Sequence, residues 1–462
     1  MQHDSKTMTL HPLEALVVIV LLLLGIGSSI MFLDDITPHT PIVIAIFLLM
    51  VYGLIKKVPF KEIEDGMSNG AKSGLGAIFL FFFIGMLISS WMASGTIPTF
   101  IYFALNLVNG QFFFAIVFVI TAIIGMSIGS SLTTTATLGV VFISVSSALD
   151  MSAAITAGAA ISGAFLGDKM SPLSDTTNLA STTVKVDLFD HIKNLLWTAI
   201  PAFVISFILF AILSPKKTAT NFDNIEVLRN ALIDNGLVHW YSVIPFILLA
   251  ILAIRRVPAI LALAIGITSA IMISFFIQQN FGLNEVMKLL FEGYTSTTGI
   301  EDIDSLLTRG GMQDMFFSIT LILLALAMGG LLFKLGILPT LLNSVQNSLS
   351  KVPVLISSTA AASIGVNFLV GEQYLSILLP GNAFAPAYER AGLHPKNLSR
   401  VLEDAGTVVN PLVPWSVCGI FISTVLGVPT IEYFPYVFFC LLSPILTILF
   451  GLTGWTLTKI DK

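Results

Sequence analysis

The stretch 163–181, "GAFLGDKMSPLSDTTNLAS", holds Asp168, Lys169 and Asp175 within eight residues, with Ser171, Ser174, Thr176, Thr177 and Asn178 around them. Between Ser73 and Gly167 the only charged residue is Asp150. Such a dense set of carboxylate, hydroxyl and amide oxygens is the ligand chemistry of a hard cation. Pro172 pushes Ser171 away from helical geometry. Gly167 and Pro172 therefore bracket a change of direction, and Asp175-Thr176-Thr177-Asn178 begins a new helix with acceptors near its N-terminus. A plain loop with a helix cap is the alternative reading.

Three further stretches interrupt apolar sequence with oxygen. "GMSIGSSLTTTATLG" (125–139) carries Ser130, Ser131 and the run Thr133, Thr134, Thr135. Two readings fit it: an unbroken helix whose hydroxyls bond their own i−4 carbonyls, or a break whose exposed backbone lines a polar cavity. "GVNFLVGEQYLSILLPGN" (365–382) offers Asn367, Glu372, Gln373 and Ser376, and "LEDAGTVVNPLVPWSVCG" (402–419) offers Glu403, Asp404, Thr407 and Asn410 with Pro411 and Pro414. Glu372 and Asp404 are the functional candidates; Glu403 reads as a loop acid near Arg400. Lys169 fits two roles, a partner for one of these acids or a snorkelling surface lysine. His11, His39 and His394 read as interfacial or looped and His191 as part of a charged connector, so no metal pattern forms. Cys418 and Cys440 are the only cysteines and stand in apolar context, which implies inert thiols and no disulfide framework.

The elements that must carry these residues are membrane helices. The chain has 462 residues, 55% hydrophobic and only 11% charged, against roughly 25% charged in a soluble domain. Apolar runs at 13–33, 41–55, 78–93, 112–129, 195–213, 240–254, 257–277, 316–333 and 434–458 approach the length of about 20 residues that spans a bilayer. The first is too long for a signal peptide and many spans follow it. These runs predict an all-α polytopic membrane protein of about ten to thirteen helical segments. A carboxylate at membrane depth is costly and is a functional candidate by default. The net charge of −5 is spread over loops, with no basic stripe for nucleic acid.

The chain repeats itself. "GTIPTFI" (95–101) is echoed by "GILPTLL" (336–342), and "SIGSSLTTTATLG" (127–139) by "SIGVNFLVGEQYL" (363–375). Asp168 lies 39 residues after Gly129 and Asp404 lies 39 residues after Gly365, which pairs the two acids. Loop charge then orients the halves. The first loop, "DDITPH" (34–39), has no Lys or Arg, while its counterpart contains Arg255 and Arg256. Loop 56–72 carries Lys56, Lys57, Lys61 and Lys72, while its counterpart 279–315 has only Lys288 and Arg309 with six acids. Basic excess marks the cytoplasmic side, so equivalent loops fall on opposite sides. The organisation expected is two inverted repeats with broken or re-entrant helices, at 10–213 and 239–458, joined by a connector at 214–238. Both termini, with Lys6, Lys459 and Lys462, fall inside; Lys216 and Lys217 of the connector run against this assignment. Inverted repeats with broken helices at the midplane are an architecture of secondary transporters.

"GDKMSPLSDTTNLA" (167–180), "EQYLSILLPG" (372–381) and "LEDAGTVVNPLVPW" (402–415) resemble the signature motifs of the NhaC family of sodium/proton antiporters. The similarity runs from about residue 10 to 458. It implies an ion-transporter fold with inverted repeats and re-entrant hairpins, in a bacterial plasma membrane, and exchange of sodium for protons. It leaves open an organic substrate, because relatives sharing these motifs include malate/lactate exchangers and amino-acid carriers. The resemblance carries over Asp168, Ser171, Asp175 and Asn178 from the first motif, and Glu372, Asp404 and Asn410 from the second, as ion-site candidates.

Sodium prefers oxygen ligands. Burial disfavours a carboxylate's charged form, so one carboxylate can be either protonated or ionised with sodium bound. Those forms exclude each other, and competition for one group makes an exchanger. Asp168 and Asp175 are the expected exchange groups and sodium ligands, with Ser171 and Thr133, Thr134 and Thr135 as helpers. No cofactor is expected; the partners are sodium, protons and lipid, with a homodimer open. An organic-anion exchanger is disfavoured because all six arginines (229, 255, 256, 309, 390 and 400) fall at expected loops or span ends, and a dicarboxylate usually wants Arg or Lys. An intramembrane aspartyl protease using Asp168 and Asp404 is disfavoured because Phe165-Leu166-Gly167-Asp168 lacks the first glycine of a Gly-x-Gly-Asp motif.

Overall fold

The computed structural model describes residues 10–460 except 33–36, 108–111, 150, 216–228, 231, 256, 279–280, 298–303, 305–306 and 347–350. Lys6, Asp34, Asp35, Lys216, Lys217, Arg256 and Lys462, which carry part of the charge reading, lie outside the described residues. Helices dominate. Six of those described are long and apolar enough to cross a membrane, or eight if two bent pairs each count as one span. Their outward faces are apolar: Leu21 and Leu24, Ile200 and Ile208, and Met272 and Phe276 are exposed. Faces of that kind need lipid rather than water.

The segmentation is finer than the apolar runs predict, because breaks divide several spans, and one order of elements occurs twice. The first series is α1 (Pro12–Phe32), α2 (His39–Ile55), α3 (Phe60–Ser73), α4 (Leu75–Ala93), α5 (Thr96–Leu107) and α6 (Phe113–Ile128). It continues with α7 (Ser131–Thr134, a π turn at Thr135–Gly139, then Val140–Ala148), α8 (Ala153–Met170), α9 (Asp175–Thr183) and α10 (Leu188–Leu213). The second series is α11 (Ile244–Ile254), α12 (Ala259–Ile277), α13 (Leu283–Glu292), α14 (Met312–Lys334), α15 (Ile337–Gln346) and α16 (Val352–Val370). Then come α17 (Gln373–Arg390), α18 (Pro395–Leu402, running into a π turn at Glu403–Thr407 and a 3-10 turn at Asn410–Leu412), α19 (Val417–Leu426) and α20 (Phe438–Thr453). Packing between the series is reciprocal: α4 lies on α12 and α14 on α2; α9 lies on α17 and α19 on α7; α10 lies on α18 and α20 on α8. Reciprocity of this kind is what a two-fold relation between two units produces.

Backbone geometry fixes the register between the series. Helix α6 ends at Gly129 (φ 69°) and α16 at Gly371 (φ 73°), both left-handed C-caps, where a side chain would be strained. The next residue caps the following helix each time: the Ser130 hydroxyl accepts from Thr133 N–H, and the Glu372 carboxylate accepts from Leu375 N–H. Ser174 and Ser416 cap α9 and α19 in the same way, each two residues after a proline, Pro172 or Pro414. One common offset relates all these pairs. It places Asn410, not Asp404, opposite Asp168. The sequence pairing of the two aspartates therefore fails, because it aligned Gly129 with Gly365, inside α16, instead of with Gly371 at its end.

Small residues let α6 and α8 approach closely. A Cβ on Gly163 would lie 2.0 Å from Thr121 Oγ1, and one on Gly167 would lie 2.5 Å from the Ala122 carbonyl oxygen. This small-x-x-x-small spacing, usual where membrane helices pack tightly, sets the α8 C-terminus and Asp168 beside the break at Gly129.

Candidate functional site

Asp168 is buried, with 5% of its surface exposed. Its Oδ2 accepts from Ser131 N–H at 3.1 Å, and the hydroxyls of Ser131 and Ser174 also face it. The N-terminus of α7, the positive end of that helix, thus holds the carboxylate in place. Asp175, the first residue of α9, is exposed. It lines a cavity of about 370 Å3 together with Gly129, Ser130, Thr133, Pro172 and Asn178, with Leu249, Pro258 and Leu263 also in the lining. Asp168 lies behind that lining.

The other residues of the first motif build the bend. The Asn178 amide donates to the carbonyls of Pro172 at 3.0 Å and Ser174 at 2.7 Å. Ser171 Oγ accepts from Leu173 N–H at 3.2 Å, and the Thr177 hydroxyl donates to the Lys169 carbonyl at 3.2 Å. The threonine run combines both of its readings. The chain does break, at Gly129 and Ser130, yet beyond the break Thr134 donates back to the Ser130 carbonyl at 2.8 Å. Ser130 Oγ donates to Thr133 Oγ1 at 3.0 Å. Thr135 begins the π turn, and its buried hydroxyl has no partner.

The second break is closed by amides. Asn410 Nδ2 donates to Asn367 Oδ1 at 2.8 Å, and Asn410 Oδ1 accepts from Cys418 N–H at 2.9 Å. Asn367 Nδ2 donates to the Gly406 carbonyl at 2.5 Å and Gln373 Nε2 to that of Thr407 at 3.0 Å. Glu372 is occupied by its capping bond, 2.8 Å from Leu375 N. Asn410 therefore serves the turn, and the carboxylates of the first break are Asp168 and Asp175. Cys418 and Cys440 are free and buried.

Several sequence expectations change here. Lys169 does not snorkel: it is fully buried and paired with Asp404, with Thr198 Oγ1 3.1 Å from Asp404 Oδ1. Its ammonium also lies 5.3 Å from the centre of the Phe439 ring. Asp404 is thus committed to a lysine and is no cation ligand in this conformation. Arg400, near the start of its span, is buried and donates to Thr456 Oγ1 at 3.0 Å, just beyond the end of α20. His191 is buried on α10, with Nδ1 2.7 Å from Ser399 Oγ. Glu403 is no loop acid. It is fully buried in the π turn after α18, and neither carboxylate oxygen has a hydrogen-bond partner. Its one sequence signal was position: an acid beside Asp404 inside the apolar run "VLEDAGTVV".

Two helix breaks meeting around buried carboxylates, beside a cavity with an acidic lining, in an all-helical membrane protein define a secondary transporter for a small cation. The chain belongs to the Na+/H+ antiporter family, whose model matches residues 5–177 and 163–455. It is 42% identical to the Na(+)/H(+) antiporter NhaC of Alkalihalophilus pseudofirmus over 445 residues, 96% of each chain. It is 39% identical to the Na(+)/H(+) antiporter NhaC of Bacillus subtilis over 451 residues, 97% of this chain and 99% of that one. An arginine/ornithine antiporter, ArcD of Halobacterium salinarum, is 37% identical over 405 residues, 87% of this chain and 83% of that one.

Proposed function

We propose that this antiporter exchanges sodium for protons by competition at Asp168. The observation that carries the proposal is the state of that carboxylate: buried, held by a backbone N–H and facing hydroxyls, with no cationic partner. It has the oxygen surroundings a sodium ion needs, and a proton can replace the ion. Asp175 plays a different part. It stands where the cavity meets the break and draws the hydrated cation towards Asp168. The cavity has room for about a dozen waters at roughly 30 Å3 each, so the ion sheds its hydration only on leaving it. Ser130, Thr133 and Asn178 supply polar lining on the way.

Repeated element order, reciprocal packing and the loop charges support two inverted halves, 10–213 and 239–458, around a connector at 214–238. With the basic loop 56–72 inside, both termini are cytoplasmic and the protein is a multi-pass component of a bacterial plasma membrane. Lipid covers the apolar faces, and pairing of two copies of the chain is open to test. An amino acid as additional cargo is the second reading, favoured by the ArcD relative. The cavity lining contains Asp175 but no Lys, Arg or His, which suits a cation and not a dicarboxylate. Purified protein in vesicles with an internal pH dye separates the two. Proton efflux on adding sodium alone supports exchange; proton movement only with an added amino acid removes it in favour of the second reading.

A further inference from the structure

We propose that Glu403 is a second proton-carrying group of the exchanger, separate from the sodium site and reached through a polar seam between α10 and α18. The inference rests on the exchange reading above. Both carboxylate oxygens of Glu403 are buried and make no close hydrogen bond, Asp404 Oδ2 is unpartnered as well, and the Thr407 hydroxyl is the one neutral donor beside them. A charged carboxylate with a single hydroxyl beside it and no cation paired to it is disfavoured in such a place. A proton answers the need directly, since the acid O–H becomes a donor among these orphan acceptors. A sodium ion fits less well, because Lys169 already sits on Asp404 and would repel it.

The groups around Glu403 bear this out. The charges of Lys169 and Asp168 on α8 reach it through space, and Asp404 lies beside it in the turn. Among the helices packed against the turn, α16 has no ionisable residue, α20 has only Cys440 and α9 only Asp175, which is turned to the cavity. Helix α17 has Tyr374 and Tyr388, with Glu389 and Arg390 exposed at its end; α18 has Lys396 and Arg400. Lys169 and Asp404 cancel, and Arg400 donates to Thr456 instead, so no cation is paired with an ionised Glu403 while Asp168 is also negative. Either ion at Asp168 removes that second charge, and the sodium-bound form is the state in which Glu403 releases its proton. Two protons, one from Asp168 and one from Glu403, move against one sodium, and one net charge crosses.

The seam supplies a route. His191, Asn194 and Thr198 recur at helical spacing along α10, all buried. They meet Ser399, the Lys396 carbonyl and Asp404. His191 Nε2 and Arg400 Nε are buried there without partners. None of these residues lines the cavity at Asp175, so protons and sodium approach from different sides of the bundle.

The test uses the full-length protein and Glu403→Gln. In vesicles with the potential clamped at several values, the reversal point of sodium-driven proton flux should depend on potential in the wild type. It should lose that dependence in Glu403→Gln, and Glu403→Asp should restore it. In detergent with a pH indicator, saturating sodium should release up to two protons per wild-type protein and at most one from Glu403→Gln. This count needs no transport and decides the matter if the variant does not turn over. A wild-type reversal point that ignores potential, or an unchanged reversal point and proton count in Glu403→Gln, overturns the proposal. Absence of any sodium-driven proton movement in the wild type instead removes the exchange reading itself, and Glu403's role with it.

Discussion

Lys169 and Asp404 offer the most quantitative perturbation. Both side chains are fully buried, and apart from each other they share one neutral partner, Thr198, whose Oγ1 lies 3.4 Å from Lys169 Nζ and 3.1 Å from Asp404 Oδ1. Removing either member leaves a buried charge whose one hydrogen-bonding partner is a hydroxyl. Breaking a buried pair this way costs about 3–5 kcal/mol, whereas replacing both members with apolar groups of similar volume is often neutral or stabilising. Asp404→Leu and Lys169→Met should therefore each lower stability by about 3–5 kcal/mol, and the double variant should recover most of it. The coupling is expected to be comparable to either single loss, far above the roughly 0.3–0.5 kcal/mol within which independent sites add. The assay is a thermal or denaturant unfolding series in one detergent, with all four proteins measured together. The two singles differ in one respect: the acid left by Lys169→Met can take up a proton, so that variant should regain stability as pH falls, while Asp404→Leu should not. Additive losses in the double variant would refute the assignment of the pair as mutually neutralising.

Asp175→Asn should raise the half-saturation for sodium with little change in maximal rate or proton stoichiometry, because the acid captures the ion and does not exchange it; a lost maximal rate with an unchanged half-saturation contradicts that division. Gly163→Val should sharply reduce folded yield, since its Cβ would lie 2.0 Å from Thr121 Oγ1 and overpacking of a tight contact costs about 1–3 kcal/mol or more; wild-type yield and melting contradict close packing there. Cysteines placed at Asp35 and Arg255 should label from opposite faces of the membrane, Asp35 from outside. Labelling from one face contradicts inversion.

The breaks were legible in sequence because they rest on local chemistry. Gly129, Pro172 and Ser174 act within a few residues of themselves, and the oxygen-rich run 168–178 stands out against its apolar surroundings. The repeat was legible as an order of elements, but its register was not. Aligning Gly129 with Gly365 or with Gly371 depends on where α16 stops, and an apolar stretch does not announce its last turn. The polar centre was the least legible. Lys169 finds Asp404, and His191 finds Ser399, more than 200 residues away in sequence, so composition could not choose between snorkelling and pairing. Asn410 entered as an ion-site candidate through the family resemblance of its motif. Its hydrogen bonds to Asn367 and Cys418 give it to the turn instead.

Competition at Asp168 is tested most directly by the sodium half-saturation measured against pH in vesicles holding only this protein. A bound proton excludes sodium from the carboxylate, so at pH values where the group is protonated the half-saturation should climb about tenfold per displaced proton for each unit of further acidification, by linkage. It should level off where the group is ionised. Asp168→Asn, which can take neither ion in this way, should abolish sodium-driven proton flux while remaining folded. A half-saturation that stays constant with pH, or an Asp168→Asn protein that exchanges like the wild type, contradicts a shared site.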